Sequence, residues 1–174
     1  MTQKQRLLSL LDKVKEYNPD ADPERLKEAY CFAEEAHKGQ SRLSGKPFID
    51  HALSVAHLVA DLKLDEDSII SALLHDVLDE AEREVQLDVI EEKFGLDVVL
   101  LVDGVSSFRQ AARKFPVHKE SVDQFRKFLL ASIEDVRVLI IRLSDKIHNA
   151  RTLNALPKED QERFAERVFH LYSP

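Results

Sequence analysis

One cysteine, no tryptophan and four glycines in 174 residues are the shortages of this chain, and each removes a class of protein. A lone Cys31 closes no internal disulfide, so packing must supply the stability, and a reducing compartment, the cytosol, is the expected setting. So few glycines leave few tight turns. With abundant Leu, Ala, Glu, Lys and Arg, that favours an all-α fold over a many-turned sheet. No apolar run approaches the length that crosses a bilayer. The N-terminal "MTQKQRLLSLLDKVKEY" also lacks the apolar core and small-residue cleavage site of a secretory signal. The expectation is a soluble cytoplasmic protein with no membrane partner. A net charge of −7 leaves no broad basic face either, which argues against nucleic acid as a partner. A small phosphorylated ligand needs only a local group of Arg and Lys and stays open.

The length suits one domain with a sizeable core. Apolar residues recur at helical spacing, with no internal repeat and no low-complexity tract. The first helix spans 3–17 and stops at "NPD"; Asp22 and Pro23 cap a second, 23–37. The stretch "KGQSRLSGKPF" is then a loop. Further helices are expected over 50–62, 67–80, 87–94, 97–104, 121–131 and 134–153, with a last one starting near Pro157. The residues between Gly104 and the 121–131 helix carry Arg109, Arg113, Lys114 and Lys119. They read as a mobile basic loop over 105–120 or, more blandly, a solvated connector.

Two helices carry polar faces that a purely structural bundle does not need. In "ALLHDVLDE", on the helix expected over 67–80, His75, Asp76, Asp79 and Glu80 fall within an arc of about 140°. Ile70, Leu73, Leu74, Val77 and Leu78 lie opposite, and the small Ala72 leaves room within the polar arc. In "EDVRVLIIRLSDKIHNARTL" the expected buried stripe is Val136, Leu139, Ile140, Leu143 and Ile147, with Arg142, Asp145, Asn149 and Thr152 opposite. His51, in the first turn after "GKPFID", adds a third element. Neutral imidazole and ionised carboxylate together suit Mn²⁺, Fe²⁺ or Zn²⁺ better than Ca²⁺, with open positions left for water and substrate oxygen. The other histidines, His37, His57, His118, His148 and His170, read as structural or surface residues. His148 is placed to pack or to donate a hydrogen bond behind the site. Arg42, Arg142 and Lys146 are available to offset phosphate charge, whereas Lys38 and Lys46 read as solvated.

The order His51, His75-Asp76, Asp145 resembles the metal signature of the HD phosphohydrolases. "AHKGQSRLSGKPFIDHALSVA", "ALLHDVLDE", "LVDGVSSF" and "RLSDKIHNARTL" resemble, in order, the motifs of the hydrolase domain of the RelA/SpoT alarmone enzymes. The likeness runs from about Tyr30 to the end, leaving 1–22 as a variable N-terminal helix on a single domain, 1–174. The closing "YSP" resembles the point where longer members continue towards a synthetase domain, so the chain reads as an excised domain or a stand-alone hydrolase. The resemblance implies an HD-type helical bundle with a metal site between its central helices. It implies that His51, His75, Asp76 and Asp145 bind one Mn²⁺, and that Asp79 and Glu80 are the catalytic carboxylates. Arg42 would lie against guanine with Ser44 nearby, Asn149 and Thr152 would meet ribose or phosphate, and Arg142 would serve as a substrate-binding cation. The implied reaction removes the 3′-diphosphate of guanosine tetra- or pentaphosphate as pyrophosphate, leaving GDP or GTP. The chain departs from the family at two places: active hydrolases usually read Glu-Asp at 79–80 and Lys at Leu43.

The swapped carboxylates sustain an alternative, a catalytically weakened regulatory HD domain of a bifunctional alarmone enzyme that still binds metal and nucleotide. An HD hydrolase of another nucleotide is opposed by "QSRLSG" and "HNARTL", and a bundle with no site is opposed by four ordered motifs.

Overall fold

The structure is a computed structural model that describes residues 1–81, 84–114 and 135–172. Among them are eight α-helices, one short 3₁₀ turn and no strand. The helices are α1 Gln3–Tyr17, α2 Pro23–Ala36, α3 Ile49–Asp61, α4 Glu66–Leu74, α5 Leu87–Phe94, α6 Leu96–Lys114, α7 Val136–Arg151 and α8 Lys158–Tyr172, with the 3₁₀ turn at Leu153–Ala155. Local chemistry sets several starts. Thr2 and Gln5 form a reciprocal capping box on α1, Asp22 accepts the Glu24 amide ahead of Pro23, and Asp65 and Asp135 cap α4 and α7. Gly95 stops α5 with a φ of 87°, a left-handed conformation that favours glycine.

Helix α4 is the axis of the bundle. Every residue from Ser68 to Leu74 is buried, and α2, α3, α6 and α7 pack around it. Leu10 and Val14 of α1, Leu53 and Val59 of α3, Ile90 and Phe94 of α5, and Leu101 and Val105 of α6 complete the core. A polar group at the end of α4 is therefore delivered to the interior, where it must find partners.

Helix α4 ends at Leu74, six residues earlier than the sequence pattern suggests. The His75 ring supplies the reason: its Nδ1–H donates to the Ala72 carbonyl at 2.8 Å, the acceptor that the Asp76 amide would use if the helix continued. Residues 75–80 then run as successive turns, with the Val77 amide on Leu74 O and the Glu80 amide on Asp76 O.

Helix α6 passes straight through Gly104 and continues to Lys114, so 105–114 is helix and not a connector. Gly104 marks a crossing. A Cβ there would meet Val138 Cγ2 of α7 at 2.8 Å, so the missing side chain lets the two helices approach. The remainder of the expected basic loop and the helix expected at 121–131 lie outside the described residues, as do His118 and the side chain of His170.

Helix α7 faces the opposite way from its apolar stripe. Val136, Leu143 and Ile147 are 64%, 36% and 46% exposed, Leu139 and Ile140 are half-buried, and Val138, Ile141, Arg142, Ser144 and Asp145 point inward. Periodicity identifies two faces but not which one meets the core. Here the charged face goes in because Arg142 and Asp145 pair with each other and Asp145 pairs with His51 of α3.

Candidate metal centre

Four ligand-type side chains from three elements meet beside the end of α4. His51 comes from the first turn of α3, His75 and Asp76 from the turns after α4, and Asp145 from α7. His51 Nε2 lies 3.2 Å from His75 Nε2, 3.4 Å from Asp76 Oδ2 and 3.4 Å from Asp145 Oδ1, and His75 Nε2 lies 3.2 Å from Asp76 Oδ2. All four side chains are buried. Ligands about 2.0–2.2 Å from a divalent ion stand about 3.0–3.5 Å apart, so these separations match a shared ion. Among the described residues, His51, His75 and Asp76 form a group able to hold a metal, with Asp145 beside it.

The tautomers agree with that use. His75 commits its Nδ1–H to Ala72 O, which turns Nε2 into the cluster, where a metal would take it as a ligand. His51 donates Nδ1–H to Nδ1 of His148 at 2.8 Å. Burial, helped by nearby His51 and Arg42, lowers His148 to about 4, which keeps its ring neutral and able to accept. His148 thus packs behind the site and shares a hydrogen bond with His51 there.

The carboxylates are held ionised. Burial pulls Asp76 upward, but His75, the hydrogen bonds from His51 and His75, and Arg109 together hold it well below the ordinary carboxylate range. Asp145 is treated similarly: burial raises it, and His51, Lys146 and His75 outweigh that to lower it. Asn149 Nδ2 donates to Asp145 Oδ1 at 2.5 Å, while Arg142 and Lys146 each donate to Oδ2 at 3.2 Å. His51 moves the other way, burial lowering it while hydrogen bonds to Asp145 and Asp76 raise it overall.

Asp79 and Glu80 sit beside this cluster, gripped from α6. Ser106 Oγ donates to Asp79 Oδ1 at 3.0 Å and Gln110 Nε2 to the same oxygen at 3.3 Å. Arg109 donates NH1 to Glu80 Oε1 at 3.3 Å and NH2 to Asp76 Oδ1. Sequence reasoning left Arg109 in the supposed connector. The available signal was that Val98, Val102, Val105 and Arg109 continue one buried stripe at helical spacing, which Gly104 and Pro116 obscured.

A cavity of about 460 Å³ opens from the cluster between Arg42, Phe48, Glu80, Arg109, Lys146, Asn149 and the inner side of α8 at Arg163 and Phe164. A second, of about 440 Å³, adjoins it and is lined by Ser44, Leu43 and Thr152 among others. Arg42 joins the two. It donates NH2 to Asn149 Oδ1 at 2.6 Å, lies 5.7 Å above the Phe48 ring, and keeps a buried NH1 with no hydrogen-bond partner among the described residues. His37 stacks on the same Phe48 ring, with centroids 4.3 Å apart. Ser44 and Leu43 are exposed on the turn, and Thr152 Oγ1 donates back to α7 carbonyls. Lys38 pairs with Glu35 in solvent and Lys46 is exposed, as read.

Comparison with known proteins agrees with this geometry. A family model described as "HD domain" matches residues 29–174. The bifunctional (p)ppGpp synthase/hydrolase SpoT of Escherichia coli K12 is 40% identical over 95% of this chain, which spans 23% of that protein's length. A GTP pyrophosphokinase of Myxococcus xanthus is 37% identical over 92% of the chain, covering 21% of its length. A solved structure described as a metazoan orthologue of SpoT that hydrolyses ppGpp superposes with a TM-score of 0.62 over 86% of each chain at 22% identity, a likeness of fold. Among the described residues no helix is long and apolar enough to cross a membrane. With an all-helical frame, a buried His-His-Asp cluster and a family model matched over most of its length, the chain belongs to the HD domain family.

Proposed function

We propose that this chain is a Mn²⁺-dependent hydrolase of guanosine tetra- and pentaphosphate, acting in the cytoplasm to release pyrophosphate from the 3′ position and leave GDP or GTP. The observation that carries the proposal is the meeting of His51, His75, Asp76 and Asp145, three of which, His51, Asp76 and Asp145, floor a cavity whose walls hold Arg42, Arg109, Arg142 and Lys146. An acidic floor with cationic walls suits a substrate rich in phosphate, and the relatives' names point to the same alarmone.

A divalent ion in this cluster would polarise a phosphoryl oxygen and lower the pKa of water. The chain's own groups do the rest. Asp79, fixed by Ser106 and Gln110, and Glu80, fixed by Arg109, are carboxylates of held orientation able to position a water and accept its proton. Arg42, locked to Asn149 and backed by Phe48, offers a flat cationic face for a purine base, with Ser44 on the adjoining turn. Asn149 and Thr152 line the passage between the cavities where ribose and phosphates would pass.

Turnover of guanosine tetraphosphate, followed as pyrophosphate release with Mn²⁺, Mg²⁺ and Zn²⁺ in turn, tests the proposal. Turnover with Mn²⁺ is the expected result; nucleotide binding with no turnover under any metal overturns it. That outcome would favour the regulatory reading, which one finding supports: some relatives of similar identity are named for synthesis alone, as GTP pyrophosphokinases.

A further inference from the structure

Asp76 divides its two oxygens between two cationic positions. Oδ2 faces the imidazole nitrogens of His51 and His75, while Oδ1 accepts from Arg109. The same guanidinium reaches Glu80 Oε1 at 3.3 Å and Asp79 Oδ2 at 3.8 Å. A carboxylate shared between neighbouring cations, with further carboxylates behind the second, is the ligand arrangement of centres that hold two ions about 3.5–4 Å apart. Here an arginine stands where the second ion would go.

We propose that Arg109 is the built-in second cation of this centre: it fills the position bounded by Asp76 Oδ1, Asp79 Oδ2 and Glu80 Oε1, and so restricts the site to a single divalent ion. The proposal rests on the reading that His51, His75, Asp76 and Asp145 hold metal. Three further observations support it. Arg109 is only 7% exposed, in the interior of α6 and next to Phe108, whose ring lies 5.4 Å under the buried Arg142, so its guanidinium is set into the wall of the site. Asp79 Oδ2 is buried and accepts no hydrogen bond among the described residues, which leaves an oxygen with coordinating capacity facing the arginine. Ser106 and Gln110, three residues before and one after Arg109 on the same helix, hold the other oxygen of Asp79, so α6 fixes the orientation of the carboxylate beside Arg109.

The charge balance makes the arrangement necessary. Asp76, Asp79 and Glu80 converge on one cation. Without it, the buried side chains of Asp76 and Asp79 would face each other with the half-exposed Glu80 beside them, and uptake of a proton or a second ion would relieve the repulsion. A guanidinium offers fixed donors, cannot be stripped by a chelator and does not deprotonate, so the centre stays mononuclear whatever the metal supply. Restricting the count in this way also keeps Asp79 and Glu80 out of metal coordination and available for proton transfer.

The test is metal stoichiometry. Native chain, Arg109→Gln and Arg109→Lys are loaded with excess Mn²⁺, desalted and analysed for metal by elemental analysis, and their Mn²⁺ paramagnetic resonance spectra are recorded. The expected result is one magnetically isolated ion per native chain. Arg109→Gln should double the content and show an exchange-coupled pair, and Arg109→Lys, which keeps the charge, should stay at a single ion. Arg109→Gln remaining at one isolated ion overturns the proposal. Should that variant not fold, titration of the native chain decides: a single uncoupled ion at large excess of Mn²⁺ supports it, and a coupled pair refutes it. A native chain that binds no Mn²⁺ at all refutes the metal reading itself, a separately recognisable failure.

Discussion

Asp145 is almost fully buried yet charged, and its four neighbours explain how the fold tolerates it: His51, Asn149, Arg142 and Lys146 all direct N–H groups at its two oxygens. The same neighbours make it costly to remove. Asp145→Asn keeps the shape but leaves Arg142 and Lys146 facing each other without an anion between them, and breaking a buried pair in that way costs about 3–5 kcal/mol. The expected outcome is a metal-free protein less stable by roughly 3 kcal/mol in urea at pH 7, with Mn²⁺ affinity lost as well. Asp76→Ala should likewise lose metal. Circular dichroism for folding and elemental analysis for metal separate the two effects; a variant that keeps its ion removes that residue from the ligand set. Among the described residues Arg42 bonds to Asn149 and not directly to the four clustered side chains, so Arg42→Ala should raise the Michaelis constant for guanosine tetraphosphate about tenfold or more with metal content unchanged. Lost metal at unchanged affinity would assign the base site elsewhere.

At the scale of the helix, the crossing of α6 over α7 depends on Gly104. Alanine is the better helix former by about 1 kcal/mol, so propensity alone expects Gly104→Ala to stabilise. The contact at 2.8 Å from the new Cβ to Val138 Cγ2 argues the reverse, because overpacking a filled interface costs about 1–3 kcal/mol. Net destabilisation of about 1 kcal/mol is expected, and Val138→Ala in the same chain should recover part of it in a double-mutant cycle. Additive effects would mean that the helices are not in contact there. The same glycine shows where sequence reasoning reached its limit. The cap at Asp22 was readable because capping is a local property, and the motif order singled out His51, His75, Asp76 and Asp145, which the fold brings together. The early stop of α4 turns on the local hydrogen bond from His75 to Ala72 O, which helical periodicity does not show. The passage of α6 through Gly104 and the inward charged face of α7 instead each depend on a partner distant in sequence, Val138 for the first and the cluster for the second. Arg109 was missed for that reason, since its role appears only once α6 lies beside the end of α4.

For the molecule as a whole, these charges link folding, metal and pH. Asp76 and Asp145 have depressed pKa values, so their stabilising contributions are present above the ordinary carboxylate value and are lost only far into acid. The histidines govern the range near neutrality. His37, His57 and His148 are lowered by burial, so each contributes stability that is present above about pH 6.5 and declines as the pH falls. His51 is raised, so in the metal-free chain its contribution is full below about pH 6.5 and is lost as the pH rises through its folded value. A metal ion requires His51 unprotonated, so binding expels a proton exactly where the free chain prefers to keep one. Saturating ligand at a hundred times its dissociation constant stabilises a fold by about 2.7 kcal/mol, and that increment must shrink whenever protons compete for a ligand nitrogen. At fixed Mn²⁺, the rise in melting temperature over a chelator control, followed by circular dichroism, should therefore diminish steadily from pH 8 to pH 6. The metal-free chain, with three histidines opposing one, should meanwhile change less than the loaded chain. An increment independent of pH across that range would mean that His51 is already neutral without the ion, and that the carboxylates alone set the metal affinity.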